Sequence, residues 1–157
     1  MKKREKAKFE EINDKLEVFY KCCRENKLKI TPQRIEIYKA LLESDEHPSA
    51  EMVYEKTRQT MPNVSFDTVN RTLNTLSQIG AAFVVEGSGE VRRFDGNLDS
   101  HQHFKCINCR KIFDFHYDNI DNVKIPENLG DGFKILRTTV YVEGLCQACQ
   151  KNENKNK

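Results

Sequence analysis

The chain has 157 residues, 38% of them hydrophobic, and a formal net charge of +2. That is long enough for one ordinary domain or two small ones and apolar enough to exclude disorder throughout. The charged N-terminus lacks the apolar stretch of a signal peptide, and no later segment approaches the roughly 18 apolar residues of a membrane span. A soluble, cytoplasmic protein with no membrane partner is therefore expected, and its six cysteines point to metal or redox chemistry rather than a disulfide framework.

Residues 1–34 hold 11 Lys or Arg against 6 Asp or Glu, a surplus of five. Helical spacing of Ile12, Leu16, Phe19, Tyr20 and Cys23 predicts a first helix over 11–27. Cys22 and Cys23 lie on it as small hydrophobes. Thr31-Pro32 opens a second helix, with Thr as cap and Pro in the first turn, and Ile35, Tyr38, Leu41 and Leu42 form its apolar face. Ser49 caps a third helix. Ser65 caps a fourth, running from Phe66 through Val69, Leu73, Leu76 and Ile79 to a stop at Gly80.

AAFVVE and VRRFD then read as two short strands joined by Gly87-Ser88-Gly89-Glu90 in a hairpin, so helices followed by a hairpin predict a winged helix-turn-helix. Burying Val69, Leu73 and Leu76 leaves Asp67, Asn70, Arg71, Asn74 and Gln78 on the other side of the fourth helix. Asn and Gln are competent to bond adenine bidentately, and Arg to bond guanine or phosphate. The plainer alternative is a solvated polar face; the helix-turn-helix context favours base reading.

DGNLDS, residues 95–100, is rich in turn formers and reads as a hinge. Beyond it, HFKC, KIFDF and FKILRTTVYV are strand-like, with a loop or helical stretch around 118–130, and the polar KNENKNK tail is expected to be disordered. A segment this small needs a staple or a partner.

Cys106-Ile-Asn-Cys109 and Cys146-Gln-Ala-Cys149 supply four thiolates in two tight turns, which suits tetrahedral Zn²⁺ in a closed structural site. The alternative, a thioredoxin-like dithiol enzyme, wants a strand-helix-strand context that is absent here. His101 and His103 alternate onto one face of a strand and Asp114 lies on the next, a nitrogen and oxygen set suited to Fe²⁺, Mn²⁺ or Zn²⁺. Sequence spacing alone does not recruit His47. A zinc hydrolase or deaminase is disfavoured because the His-x-Glu and Pro-Cys pairing of deaminases is missing. A zinc-stapled interaction module that does not touch DNA is a further alternative, against which salt-sensitive duplex binding would count.

Thr31-Pro32-Gln33-Arg34, His47-Pro48, Val64-Ser65 with Thr68-Val69, Arg93-Phe94-Asp95, His101-x-His103 and both cysteine pairs fall in an order that closely resembles the ferric uptake regulator family of bacterial repressors, over about residues 12–150. The resemblance implies an α+β protein that is not an enzyme. Residues 1–95 would form a winged-helix DNA-binding domain with a basic N-terminal extension, 96–100 a hinge, 101–150 a small α/β dimerisation and metal-binding domain, and 151–157 a tail. It implies a homodimer on a palindromic double-stranded operator, with Asn70, Arg71, Asn74, Thr31 and Arg34 as candidate DNA contacts.

It further implies one structural Zn²⁺ on the four cysteines, and one regulatory Fe²⁺ or Mn²⁺ held by His47, Asp95, His101, His103 and Asp114. Aspartate at both Asp95 and Asp114 looks like the peroxide-sensing branch, in which His47 and His101 are the candidates for iron-catalysed oxidation. The additional His and acidic site of many iron regulators is replaced here by Ser100, Gln102 and Thr138. Asn70 stands where the family usually carries tyrosine, so the usual operator contact changes.

Overall fold

The computed structural model of the chain describes residues 2–44, 47–85, 91–117, 132–133 and 139–155. They form two compact units, Met1–Asp99 and Ser100–Lys157.

The first unit is helical because its caps and apolar stripes agree. Helix α1 (Lys2–Glu25) begins well before the expected residue 11, so the basic extension is helical too. In α2 (Pro32–Leu42), Thr31 is the N-cap and accepts from the Arg34 amide at 3.3 Å, with Pro32 in the first turn. Ser49 caps α3 (Ala50–Thr60) through the Met52 amide at 3.3 Å, and Ser65 caps α4 (Phe66–Gln78) through the Thr68 amide at 3.2 Å. Each such cap satisfies an amide that the first helical turn leaves without an intrahelical partner.

At the far end of α4, Gly80 takes a left-handed φ of 76° and lets the Ala81 amide bond back to the Leu76 carbonyl at 2.9 Å. Only glycine adopts that conformation at no steric cost, so the helix stops there.

The stripes at helical spacing meet in one core. Phe19 of α1 stacks on Tyr38 of α2 with ring centroids 4.8 Å apart, and Ile37, Leu41, Val53, Val69, Leu73, Leu76 and Phe94 are buried around them. Cys23 is fully buried in this core and Cys22 is packed against it. Burial, followed by the charges of Cys22 and Asp95, raises the Tyr38 hydroxyl above its ordinary value. Phe19→Ala should lower the stability of this unit by about 3–5 kcal/mol, because a buried ring leaves a cavity behind. Urea unfolding followed by the helical circular-dichroism signal measures it.

After α4, strands β1 (Phe83–Val84) and β2 (Phe94–Asp95) pair antiparallel, Phe83 opposite Asp95 and Val84 opposite Phe94. Helices α2–α4 with this ribbon are a winged helix-turn-helix. The Gly87–Glu90 turn lies outside the described residues.

In the second unit, β3 (Gln102–Cys106) lies between antiparallel β4 (Ile112–Phe115) and parallel β5 (Tyr141–Gly144). The strand expected over 133–142 is thus observed only at its end and runs on to Gly144; 134–138 and the stretch 118–131 lie outside the described residues. Helix α5 (Gln147–Lys155) continues into the tail expected to be disordered. The turn after Cys146 starts the helix, and propagation by one residue at a time is far easier than nucleation.

Candidate metal centres and nucleic-acid interface

The first centre is built by strand register. Parallel pairing sets Cys106 opposite Gly144, and the Ile107 amide bonds the Gly144 carbonyl at 2.9 Å, so the end of β3 lies beside the start of the Cys146 turn. Gly144 eases that approach, since a Cβ there would lie 3.2 Å from the Phe104 ring and press it aside by a few tenths of an ångström. Arg110, at a left-handed φ of 62°, closes the turn that brings Cys109 back, with its amide bonding the Cys106 carbonyl at 2.9 Å.

The four sulfurs of Cys106, Cys109, Cys146 and Cys149 lie within 4.8 Å of one another, and Cys109 Sγ to Cys146 Sγ is 3.7 Å. A tetrahedron with metal–sulfur bonds of about 2.3 Å has edges of about 3.8 Å, so the cluster has the size that Zn²⁺ requires.

Electrostatics agree with a cation. The Cys146 amide, 3.4 Å from Cys106 Sγ, together with the Cys109 amide, holds the Cys106 thiol down at about 6. Hydrogen bonding to the Cys146 side chain, then burial, pushes Cys149 up to about 12. Four clustered thiols cannot all ionise beside one another, and a divalent ion removes that conflict.

A second set of ligand-type side chains sits in the same unit. Antiparallel pairing places His103 opposite Asp114. The Nε2 atoms of His101 and His103 are 3.0 Å apart, and they lie 3.7 and 3.6 Å from Asp114 Oδ1. Two imidazole nitrogens and a carboxylate converging on one point form a mixed donor set suited to Fe²⁺, Mn²⁺ or Zn²⁺, harder than four thiolates.

The first unit holds a histidine and carboxylate of its own. His47 and Asp95 are both buried, with His47 Nε2 3.7 Å from Asp95 Oδ2. His47 carries a φ of 46° immediately before Pro48, a conformation uncommon for any residue but glycine and disfavoured before proline. The ribbon holds it there. The Phe94 amide bonds the Pro48 carbonyl at 3.0 Å, Ser49 bridges Arg93, and Arg93 Nη1 donates to the His47 carbonyl at 3.5 Å. The Asn97 amide donates to Asp95 Oδ1 at 2.7 Å, which orients the carboxylate. A strained backbone held by several neighbours is a common mark of a functional position.

The five expected DNA contacts separate into two open clefts of the first unit. Thr31, Arg34 and Arg71 line one between α2 and α4. Asn70 and Asn74 line another, together with Arg92. Arg71 is exposed and 3.6 Å from exposed Asp67, an ion pair that water and salt screen heavily. Arg92 was not singled out by sequence reasoning, though the doubled arginine in VRRFD marks it.

A family model described as the ferric uptake regulator family matches residues 25–143. The peroxide-responsive repressor PerR of Staphylococcus saprophyticus is 34% identical over 145 residues, covering 92% of this chain and 97% of that protein. The peroxide operon regulator of Bacillus subtilis is 35% identical over 131 residues, covering 83% and 90%. The solved ferric uptake regulator of Helicobacter pylori superposes with a TM-score of 0.69 at 28% identity, covering 88% of this chain and 93% of that one, and its description reports three functional metal-binding sites. With a family match that runs through both units and with these relatives, the chain belongs to the ferric uptake regulator family.

Proposed function

We propose that the protein is a metal-dependent, DNA-binding transcriptional repressor that acts in the cytoplasm as a homodimer on double-stranded operator DNA and senses peroxide. The observation that carries this reading is that each unit, separately, gathers imidazole and carboxylate groups near the short link between them: His47 with Asp95 in one, His101 with His103 and Asp114 in the other. In this reading all five hold one Fe²⁺ or Mn²⁺, and Cys106, Cys109, Cys146 and Cys149 hold Zn²⁺. No helix among the described residues is long and apolar enough to cross a membrane.

Ligands drawn from two units can be satisfied together at only one mutual orientation. Occupancy therefore biases the conformational ensemble, and with it the placement of the reading helix α4. A coupling of 1–3 kcal/mol between metal and DNA changes operator affinity by about 5- to 150-fold.

Peroxide sensing is supported by the aspartates at 95 and 114 and by the similarity to two peroxide regulators. Fe²⁺ held there would supply the electrons for peroxide reduction, chemistry that Mn²⁺ would resist, and His47 and His101 would be the side chains that take up oxygen.

Zinc-loaded protein carrying Fe²⁺ or Mn²⁺ is assayed for duplex binding before and after a small dose of peroxide, with mass spectrometry of the peptides containing His47 and His101. The iron form alone should lose DNA binding, with an added oxygen on one of the two histidines. Survival of both forms unmodified would make the protein a sensor of iron or zinc level instead.

A further inference from the structure

Helix α4 and the wing share a side-chain network that changes what the reading helix offers to a base. Arg92, exposed just before β2, donates from Nη1 to Asn74 Oδ1 at 2.9 Å. A guanidinium only donates, so the amide atom facing it is the oxygen. The other end of the same carboxamide donates from Nδ2 to the Asn70 carbonyl at 2.9 Å and to Asn70 Oδ1 at 3.3 Å. A carbonyl only accepts, so the orientation of Asn74 is set independently from both ends.

Bidentate reading of adenine needs a free N–H for N7 on the same carboxamide that accepts from N6. Asn74 Nδ2 is turned toward two acceptors of Asn70, back along its own helix, so the donor that an adenine N7 needs is drawn away from a base. Asn70 turns its Oδ1 back toward Asn74. Its own Nδ2 has no partner among the described residues, and neither do the remaining guanidinium N–H groups of Arg92. Asn70 and Arg92 thus present donors to a cleft that Ser49 and Glu51 also line.

We propose that Arg92 and Asn70 form a donor-only reading pair for a guanine edge of the operator, whose N7 and O6 are adjacent acceptors, and that Asn74 is a positioning residue holding the pair together. The inference rests on the DNA-binding reading above. It adds a specificity-determining residue from the wing, and it predicts a G·C pair within each half-site of the operator.

Full-length protein loaded with Zn²⁺ and Mn²⁺ is used to select duplexes from a pool with a randomised core, in parallel for the unaltered chain, Arg92→Ala, Asn74→Ala and the double variant. The unaltered protein should enrich guanine at one position of each half-site. Each single variant should lose the preference for guanine over adenine there by about 5- to 150-fold, and the double variant should lose no more than either single one. Arg92→Ala that keeps the guanine preference, and binds all duplexes more weakly with a shallower salt dependence, would show a phosphate contact and overturn the inference. Enrichment of adenine by the unaltered chain would also overturn it. Failure of the unaltered chain to bind any duplex would instead remove the DNA-binding reading, and this inference with it.

Discussion

Cys106→Ser should abolish stoichiometric zinc retention and unfold the C-terminal unit while leaving the helices of the first unit folded. The reason lies in where the apolar burial sits. Among the described residues, the buried core cluster runs from Leu16 to Phe94, and in the second unit the only buried residues of the hydrophobic class are Cys106 and Cys149 themselves. The other buried side chains there are Gln102 and His103, which are polar. A unit this small supplies at most a few kcal/mol from its own packing, whereas structural zinc in small modules contributes about 10–16 kcal/mol at neutral pH.

Zinc content by native mass spectrometry, with proteolysis mapping the residues beyond 100, reads both parts of the result. A serine variant that keeps one zinc per chain and the same protease resistance would mean the thiol cluster is not the staple. The effect has a definite pH sense. Metal binding requires thiolates, so protons compete with zinc as the solution is acidified. Zinc loss from the unaltered protein should therefore increase as the pH falls and should reverse on neutralisation.

His103→Ala and Asp95→Asn, which alter different units, should each flatten the dependence of DNA binding on Mn²⁺ by the full coupling of about 5- to 150-fold. His103 sits in the middle strand, its Nε2 3.6 Å from Asp114, and Asp95 ends the wing ribbon beside His47. If one ion takes ligands from both sets, losing either removes the differential affinity that selects the binding conformer, and a ligand with equal affinity for all states shifts nothing. Duplex titrations with and without Mn²⁺ measure this, and unchanged zinc content shows that the staple is intact. Should either variant keep the metal dependence of the unaltered chain, the ion is held within one unit and the shared-ligand reading fails.

Much of the fold was legible because its determinants are local. Thr31, Ser49 and Ser65 announce helix starts through a hydrogen bond only three residues long, Gly80 announces a stop, and the apolar stripe of α4 repeats with the helical period. The cysteine pairs were equally readable, since each closes within one turn and four thiols suit few ions other than zinc. The helical tail through Lys155 and the early start of α1 at Lys2 were missed, because polar segments carry no apolar stripe to betray a helix that a neighbouring turn has already nucleated.

The sequence by itself thus determined the caps and apolar stripes of α2–α4, the wing strands and the two cysteine turns, each set largely by residues close together in the chain. Only the tertiary structure decided the partners of His47 and Asn74. His47 meets Asp95 because a β-bridge at Ser49 and Arg93 draws two distant segments together, and that pairing depends on the folded ribbon rather than on spacing. Asn74 looks like a base-reading side chain on a helical wheel, but a single arginine 18 residues away takes its acceptor and turns its donors inward. A polar side chain's free valences are settled by whatever the fold brings within hydrogen-bonding distance, which periodicity along the chain does not encode.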